Sequence, residues 1–163
     1  METNYMTRKA WDALTKKLQE MLNEIKPGGK LAQEIGKAAS HGDLSENAEW
    51  EAAILKKDMV GNEINNLRQR LSNVTIIDDL EINLERVTIG TKVTLYDLDS
   101  DKKIVYQILS SDDTPFYDHV ISAKSPIARG LIGRRKEDEV KIKVPAGLKK
   151  YEIVSIERFT QEE

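Results

Sequence analysis

The chain contains no cysteine, which excludes disulfide bonds, thiolate metal sites and cysteine nucleophiles. It also has no apolar run long enough to span a bilayer, and its first twenty residues lack the apolar core of a signal peptide. Aromatic residues make up only 6% of the sequence, so a pocket lined by aromatic rings has few residues to form it. These absences lead us to expect a cytoplasmic protein that does not bind membranes.

Charged residues of both signs are abundant, at 33% of the chain, and the net charge is −3. Proteins bind free DNA or RNA chiefly by neutralising phosphates, so a slightly acidic chain is a poor candidate for strong independent nucleic-acid binding. Any role in nucleic-acid chemistry is therefore expected to depend on a protein partner.

The first half of the chain has the apolar spacing of a helix. Thr7 is a candidate N-cap, and spacings of three and four then follow through Trp11, Leu14, Leu18, Met21 and Ile25. The same phase continues across Pro27-Gly28-Gly29 and through Ala32, Ile35 and Ala39. Because a true loop has no reason to preserve the phase, the sequence predicts a kinked or locally loosened helix at this point.

A second helix is predicted from near residues 43–45 to about residue 73. Its apolar positions are Ala52, Leu55 and Met59, followed after a slip of one residue by Val60, Ile64, Leu67, Leu71 and Val74. Two long amphipathic helices joined by a short break should fold into an antiparallel hairpin, roughly 45 Å long for thirty residues. The far tip of this hairpin would carry Asp43 and Glu46.

After Gly90 the apolar period changes to two, which predicts strands. We expect strands over 92–96, 103–109, 119–122, 139–144 and 150–158, with a hairpin turn over 97–102 and a short helix over 125–131 entered through Pro126. The predicted fold class is α+β. It comprises a helical coiled-coil hairpin over 1–78, a linker over 79–85 and a small, mostly antiparallel sheet domain over 86–163.

The segment Asp43-Leu44-Ser45-Glu46 has two interpretations. It fits a capping box, in which Asp43 caps the second helix and Glu46 reaches back. However, Glu49 and Glu51 follow closely, and clustered carboxylates are also what a hard cation such as Mg²⁺ requires. Both interpretations hold if Asp43 caps weakly in the free protein and binds metal when the protein is docked on a partner.

The other candidate signals are weaker. The run Asp97–Asp101 resembles the start of a calcium loop, but Lys102 stands where glycine is required and Ile108 where the closing glutamate belongs. Residues 133–136 form a basic turn, and we find no self-contained catalytic site. Three lysines lie within a few helical turns of the acids and are interpreted either as a solvated face or as weak guides for an RNA 3′ end: Lys37, Lys56 and Lys57.

Two segments are more specific. Residues 42–50 resemble the hairpin-tip signature of the Gre family of bacterial transcript cleavage factors, with Trp50 where that family usually has tyrosine. Residues 121–122 with 125–133 are similar to its C-terminal signature, and residues 72–78 and 145–147 to its hairpin exit and late turn. The resemblance covers nearly the whole chain in the right order. Ala39 and Ile54 stand where many relatives carry basic residues.

The resemblance implies an N-terminal coiled coil and an FKBP-like domain. The implied partner is bacterial RNA polymerase, whose secondary channel would receive the hairpin while Ser125, Pro126 and Ala128 contribute to binding. Asp43 and Glu46 would help to hold a second Mg²⁺ in the polymerase active site, where backtracked RNA is cut. The chain is expected to be a monomer, to bind no cofactor alone and to activate the polymerase's nuclease rather than to be an enzyme.

Two other functions are compatible with the sequence. A regulator that occupies the same channel without stimulating cleavage would share the architecture, but the intact pair Asp43 and Glu46 disfavours this function. A chaperone or prolyl isomerase is suggested by a coiled coil beside an FKBP-like domain, although fold alone does not carry activity.

Overall fold

The structure, a computed structural model, describes residues 3–40 and 47–159. The chain divides into a hairpin unit, residues 12–73, and a C-terminal unit, residues 3–11 and 74–163. The predicted boundaries placed the first residues with the hairpin. In the structure the strand β1 (Asn4–Met6) of these residues pairs in parallel with β2 (Val74–Ile76). No helix within the described ranges is both long and apolar enough to cross a membrane.

Among the described residues, three α-helices precede the five-stranded sheet: α1 (Arg8–Ile25), α2 (Lys30–Ala39) and α3 (Ala48–Arg70). The predicted cap of α1 is confirmed, because the Thr7 hydroxyl oxygen accepts a hydrogen bond from the backbone N–H of Ala10 at 3.2 Å. The predicted apolar stripe of α1 is also confirmed, with Leu14 and Met21 buried and its other members half-buried.

The predicted disturbance of the first helix at Pro27-Gly28-Gly29 is present and interrupts the helix, because α1 ends at Ile25 and α2 begins at Lys30. Gly28 adopts a φ of +80°, a conformation that favours glycine. A Cβ at Gly29 would lie only 2.7 Å from the carbonyl oxygen of Glu24. The break also shifts the phase, so that α2 buries Leu31 and Ala38 and leaves the predicted Ala32 exposed.

Helix α3 keeps a single phase along its length, and the predicted slip is wrong. Its buried residues Ala53, Ile64 and Leu67 share one stripe with the half-buried Trp50, Val60 and Leu71. Leu55 and Met59, which the pattern placed on the stripe, are 61% and 63% exposed. The stripe passes through Lys57. Because this one residue is polar, the continuous helical spacing of the apolar residues was not apparent from the sequence.

The C-terminal unit is built on a five-stranded sheet in the order β5-β4-β3-β7-β6. All five predicted strands are confirmed as β3 (Thr91–Asp97), β4 (Lys102–Leu109), β5 (Val120–Ser122), β6 (Glu139–Val144) and β7 (Gly147–Arg158). Their pairs are antiparallel except for the parallel pair β4–β5. The predicted short helix is α4 (Pro126–Leu131), which packs Ala128 and Leu131 into the core on the inner face of the sheet.

Within the C-terminal unit, a buried carboxylate that the sequence analysis did not predict binds Thr7, near the start of the chain. One oxygen of Asp113 accepts from the backbone N–H and the hydroxyl of Thr7, at 2.9 and 2.7 Å. The other oxygen accepts from the N–H and hydroxyl of Ser110, at 2.9 and 2.8 Å. Asp113 and Thr7 are both 0% exposed, so these bonds satisfy a charge that would otherwise be costly to bury.

The predicted linker over 79–85 is held at its start. The guanidinium of Arg158, on β7, donates to the carbonyl oxygen of Asp78 at 2.8 Å and to that of Leu80 at 3.2 Å. The segment therefore begins as a fixed part of the C-terminal unit.

Candidate functional site at the loop end of the hairpin

The segment that carries the predicted chemistry joins α2 to α3 along the chain. Asp43 and Glu46, the two predicted metal-binding acids, lie outside the described residues. The structure does describe both ends of this segment. Ser40 follows α2 as its C-cap, and Asn47 precedes α3 as its N-cap.

Asn47 connects the two helices with one side chain. Its Oδ1 accepts from the backbone N–H of Trp50 at 3.0 Å, and its Nδ2 donates to the carbonyl oxygen of Ala38 in α2. The prediction that Asp43 caps the second helix is therefore wrong, because α3 begins at Ala48 and Asn47 is its cap. The sequence did contain a signal for the start of this helix: an asparagine followed by two acids, Glu49 and Glu51, which lie in the first helical turn.

The acids that follow the cap are exposed. Glu49 and Glu51 lie in the first turn of α3, where the helix dipole favours negative charge. Within residues 3–40 and 47–159, no group of three or more acidic, histidine or cysteine side chains could hold a metal ion. The metal prediction therefore rests on Asp43 and Glu46. Two carboxylates match what Mg²⁺ typically takes from a protein, the other ligands coming from substrate or water.

The three predicted RNA-guiding lysines do not lie together. Lys37 and Lys56 line one open groove of about 420 Å³ between α2 and α3, which also contains Glu34 and Glu49. The Nζ of Lys56 lies 3.2 Å from a carboxylate oxygen of Glu34, a half-exposed pair that contributes less than about 1 kcal/mol. Lys57, the next residue along α3, lines a different groove.

The predicted polymerase-binding residues surround the start of α4. The Ser125 hydroxyl oxygen caps the helix by accepting from the N–H of Ala128 at 3.3 Å. Pro126 is exposed at the first helical position, whereas Ala128 is 0% exposed in the core. A partner can therefore contact Ser125 and Pro126 directly, and Ala128 only supports the helix from inside.

Two family models of known proteins match successive parts of the chain. A family model described as the N-terminal part of a transcription elongation factor matches residues 4–76. A second, described as the C-terminal part of transcription elongation factor GreA/GreB, matches residues 82–158. The chain belongs to the GreA/GreB family of transcription elongation factors.

Relatives more than 30% identical support the same family across the chain. Transcription elongation factor GreA of Trichlorobacter lovleyi is 38% identical over 151 residues, covering 93% of this chain and 94% of the relative. GreA of Neisseria meningitidis serogroup B is 36% identical over 152 residues, covering 93% and 95%. A crystal structure of GreA factor homolog 1 from Thermus thermophilus aligns with 20% identity and a TM-score of 0.42, covering 95% and 99%.

Membership of the GreA/GreB family agrees with the resemblance found in residues 42–50 and 125–133. The structure contributes two facts that the motifs did not show. Asn47, inside the tip motif, bonds to the end of α2 and the start of α3, and Ser125, inside the C-terminal motif, caps α4.

Proposed function

We propose that this elongation factor stimulates RNA polymerase to cleave backtracked RNA at the polymerase's own active site. The hairpin enters the secondary channel and brings Asp43 and Glu46 to the catalytic centre, acting as a cytoplasmic monomer without a metal of its own. The observation that carries this proposal is the position of the acidic segment. It connects the paired helices α2 and α3 in a chain that belongs to the GreA/GreB family.

The proposed chemistry requires carboxylate oxygens from this factor, whereas the rest of the active site belongs to the polymerase. A second Mg²⁺, when bound in the polymerase, lowers the pKa of the attacking water and stabilises charge in an in-line displacement. Asp43 and Glu46 supply oxygen ligands to that centre and orient the water. The factor thus completes the active site of another enzyme.

The described residues around the acidic segment suit this role. Asn47 ties the end of α2 to the start of α3, so the segment is short and both its ends are fixed. Lys37 and Lys56, which share a groove beside the loop, are the pair that we assign to weak contacts with the RNA 3′ end.

Binding and chemistry are assigned to different units. We assign binding to the start of α4, where Ser125 and Pro126 are accessible, and cleavage to the hairpin loop. A variant that loses the loop acids should therefore still bind the polymerase.

The test is cleavage of end-labelled RNA in stalled, backtracked bacterial polymerase complexes. We expect the double variant Asp43→Asn/Glu46→Gln to cleave at least about 100-fold more slowly than wild type while its affinity for polymerase changes less than about threefold. The matched control is Glu49→Gln/Glu51→Gln, which also removes two negative charges but lies in α3. We expect that control to retain most of the activity.

Two results would contradict the proposal. If wild type binds polymerase but does not accelerate cleavage, the protein is a regulator that occupies the channel without stimulating cleavage. If the control pair loses as much activity as the loop pair, general negative charge and not the loop acids carries the effect.

A further inference from the structure

Helix α3 carries a glycine in its interior that its packing does not require. Gly61 lies within α3, and a Cβ at this position would meet no atom within 4 Å. Glycine is a poorer helix former than alanine, so this residue lowers the stability of the helix without relieving a close contact. What the missing side chain does provide is open space beside α3.

This space belongs to an open groove of about 600 Å³ in the hairpin unit. The helices α1 and α3 lie side by side in this part of the unit, because the Nζ of Lys17 lies 2.9 Å from a carboxylate oxygen of Glu63. Ile25, the last residue of α1, lines the groove together with Gly61. The end of α1 and the missing side chain of Gly61 together leave the groove open.

The lining of the groove combines apolar and polar side chains. Its apolar residues are Leu22 and Ile25 of α1 and Ile64 of α3, of which Ile64 is only 2% exposed. Its polar residues all belong to α3: Lys57, Asp58, Asn62, Asn65 and Arg68. Sites for small ligands typically have volumes of about 300–1,000 Å³ and an apolar lining with a few polar groups. The groove has both properties.

The polar side chains of the groove are available to a ligand. Within residues 3–40 and 47–159, no hydrogen bond or ion pair is formed by the side chains of Lys57, Asp58, Asn62, Asn65 or Arg68. Other lysines of the same hairpin do have partners, since Lys17 pairs with Glu63 and Lys56 with Glu34. The groove therefore offers two cations, one carboxylate and two amides to a molecule from outside.

The order of these residues along α3 indicates how a ligand would lie. Asp58 and Arg68 are separated by roughly 15 Å along the helix axis, so a negatively charged group is favoured at the Arg68 end and disfavoured at the Asp58 end. Ile25 and Lys57 also line a second, smaller hollow, which places an apolar surface near Asp58. A carboxylate accepts hydrogen bonds from amines, and the amide of Asn62, one turn from Asp58, both donates and accepts.

We propose that this groove binds a purine nucleotide. The phosphates lie at Arg68, the planar base lies on the apolar side chains near Ile25, and the amine of the base donates to the carboxylate of Asp58. A single nucleotide suits the groove better than a nucleic-acid backbone, whose charge would also extend past Asp58. The inference goes beyond the proposed function and does not depend on it, because none of the groove residues is a loop acid.

The test is isothermal titration calorimetry of the full-length factor with GTP, with UTP and with inorganic triphosphate. UTP carries the same phosphates on a smaller base without an exocyclic amine, and we expect it to bind at least about fivefold more weakly than GTP. Inorganic triphosphate should bind about tenfold more weakly than GTP, because it cannot use the apolar lining. Arg68→Ala should weaken GTP binding about fivefold, and Asp58→Ala should reduce the preference for GTP over UTP.

The decisive variant is Gly61→Leu, which fills the groove. We expect it to weaken GTP binding at least about tenfold and also to raise the melting temperature, because leucine is a better helix former than glycine. A loss of binding in a more stable protein cannot result from unfolding.

Two controls match these variants. Gly36→Leu adds the same side chain to α2, where a Cβ also meets no atom within 4 Å and the residue does not line the groove. Lys16→Ala removes an exposed positive charge from α1 outside the groove. We expect each control to change the affinity for GTP less than about twofold.

Four outcomes would overturn the inference. One is no binding of GTP to the wild type at concentrations up to about 1 mM. Another is equal binding of inorganic triphosphate and GTP, which would mean that the groove holds anions only. Wild-type affinity for GTP in both Gly61→Leu and Arg68→Ala would place the nucleotide elsewhere.

The fourth outcome concerns other occupants. If GTP does not bind and Gly61→Leu instead weakens binding to RNA polymerase, the groove receives a segment of the polymerase. If Gly61→Leu instead changes the sedimentation of the factor alone, the groove receives a second copy of the chain. The titrations need no cleavage, so a failure of the proposed function would leave their result unaffected.

Discussion

The C-terminal unit and the hairpin unit differ in how many large apolar side chains they bury fully: among the largest fully buried side chains of the described residues, Leu67 alone belongs to the hairpin. In the C-terminal unit, Val93, Leu95 and Ile153 are all 0% exposed, because a helix packs over the inner face of the sheet. In the hairpin unit, Ala53 is buried but Leu55, two residues further along α3, remains 61% exposed. Two paired helices can cover only one stripe of each other, whereas a sheet and a helix enclose a core.

The difference shows where each unit obtains its stability. Burial of apolar surface contributes roughly 25 cal/mol per Å², so the enclosed core of the C-terminal unit can dominate its free energy of unfolding. The hairpin has less enclosed surface and depends more on helix propensity, caps and glycine content. Substitutions should therefore have large effects where buried polar groups support the C-terminal core and small effects along the helices.

The largest effect is expected at Asp113. Replacing it with alanine leaves the N–H and hydroxyl groups of Thr7 and Ser110 without the acceptors they have in the structure. Because buried donors without partners are costly, we expect Asp113→Ala to lower the free energy of unfolding by about 3 kcal/mol, measured by urea denaturation. Asp113→Asn should lose less, since its amide oxygen can still accept from Thr7.

The control for this prediction is Asp118→Ala, which removes the same charge from an exposed position in the same unit. We expect a change below about 0.5 kcal/mol there. If Asp113→Ala lowers the free energy of unfolding by less than about 1 kcal/mol, water replaces the carboxylate. The contrast in stability between the C-terminal unit and the hairpin unit would then be weaker.

A smaller effect is expected at two glycines of the hairpin. A Cβ at Gly61, inside α3, meets no atom within 4 Å, so Gly61→Ala should raise the stability of the helix by about 1 kcal/mol. A Cβ at Gly28 also meets no atom, but Gly28 has a φ of +80°, and Gly28→Ala should lower stability by about 1 kcal/mol. Thermal unfolding can be followed by the circular dichroism signal of the helices. Relative to wild type, the unfolding midpoints of the two variants should shift in opposite directions.

This pair separates helix propensity from backbone strain, because both substitutions add the same methyl group in open space. If both variants lost stability, α3 would contain a packing constraint at Gly61. If both gained stability, the break between α1 and α2 would tolerate a right-handed backbone, and the helix would be closer to the kinked form that the sequence predicted.

The same contrast explains which parts of the fold could be predicted. The sequence predicted every strand of the five-stranded sheet, and β3 and β6 show the strict alternation that one buried face requires. The apolar stripe of the hairpin was harder to predict. Lys57 interrupts the true stripe, and the exposed Leu55 and Met59 have the spacing of a stripe without being buried. Whether a glycine pair kinks or breaks a helix depends on φ angles that composition does not determine.

The candidate site was predictable in part, for a similar reason. The motif identified the segment that joins the helices and the family to which the chain belongs. It did not distinguish Asp43 from Asn47 as the cap, since both residue types are strong N-caps and only the start of α3 decides between them. Long-range polar bonds such as Thr7 to Asp113 leave no periodic signal, because their partners are 106 residues apart.

The smallest predicted effect concerns the turn between β3 and β4. The N–H of Asp99 donates to the carboxylate of Asp97 at 2.9 Å, and the N–H of Ser100 does so at 3.2 Å. These bonds, with a smaller contribution from Lys149, lower the pKa of Asp97 below its ordinary value, although burial opposes the shift. Because the pKa in the folded state is below that in the unfolded state, Asp97 stabilises the fold at neutral pH, and this contribution disappears as the pH falls through the lowered pKa.

Asp97→Asn isolates this effect, since its amide oxygen can still accept from the N–H of Asp99 but does not titrate. We expect the wild type to melt at a higher temperature than the variant above about pH 5, and the difference to shrink steadily as the pH falls below about 4, the ordinary pKa of an aspartate. Melting curves of both proteins at several pH values measure it, and the neighbouring acids cancel in the difference. A difference that stays constant with pH would show that the turn depends on hydrogen-bond geometry alone, and that the charge of this nearly buried carboxylate adds nothing to the stability of the C-terminal unit.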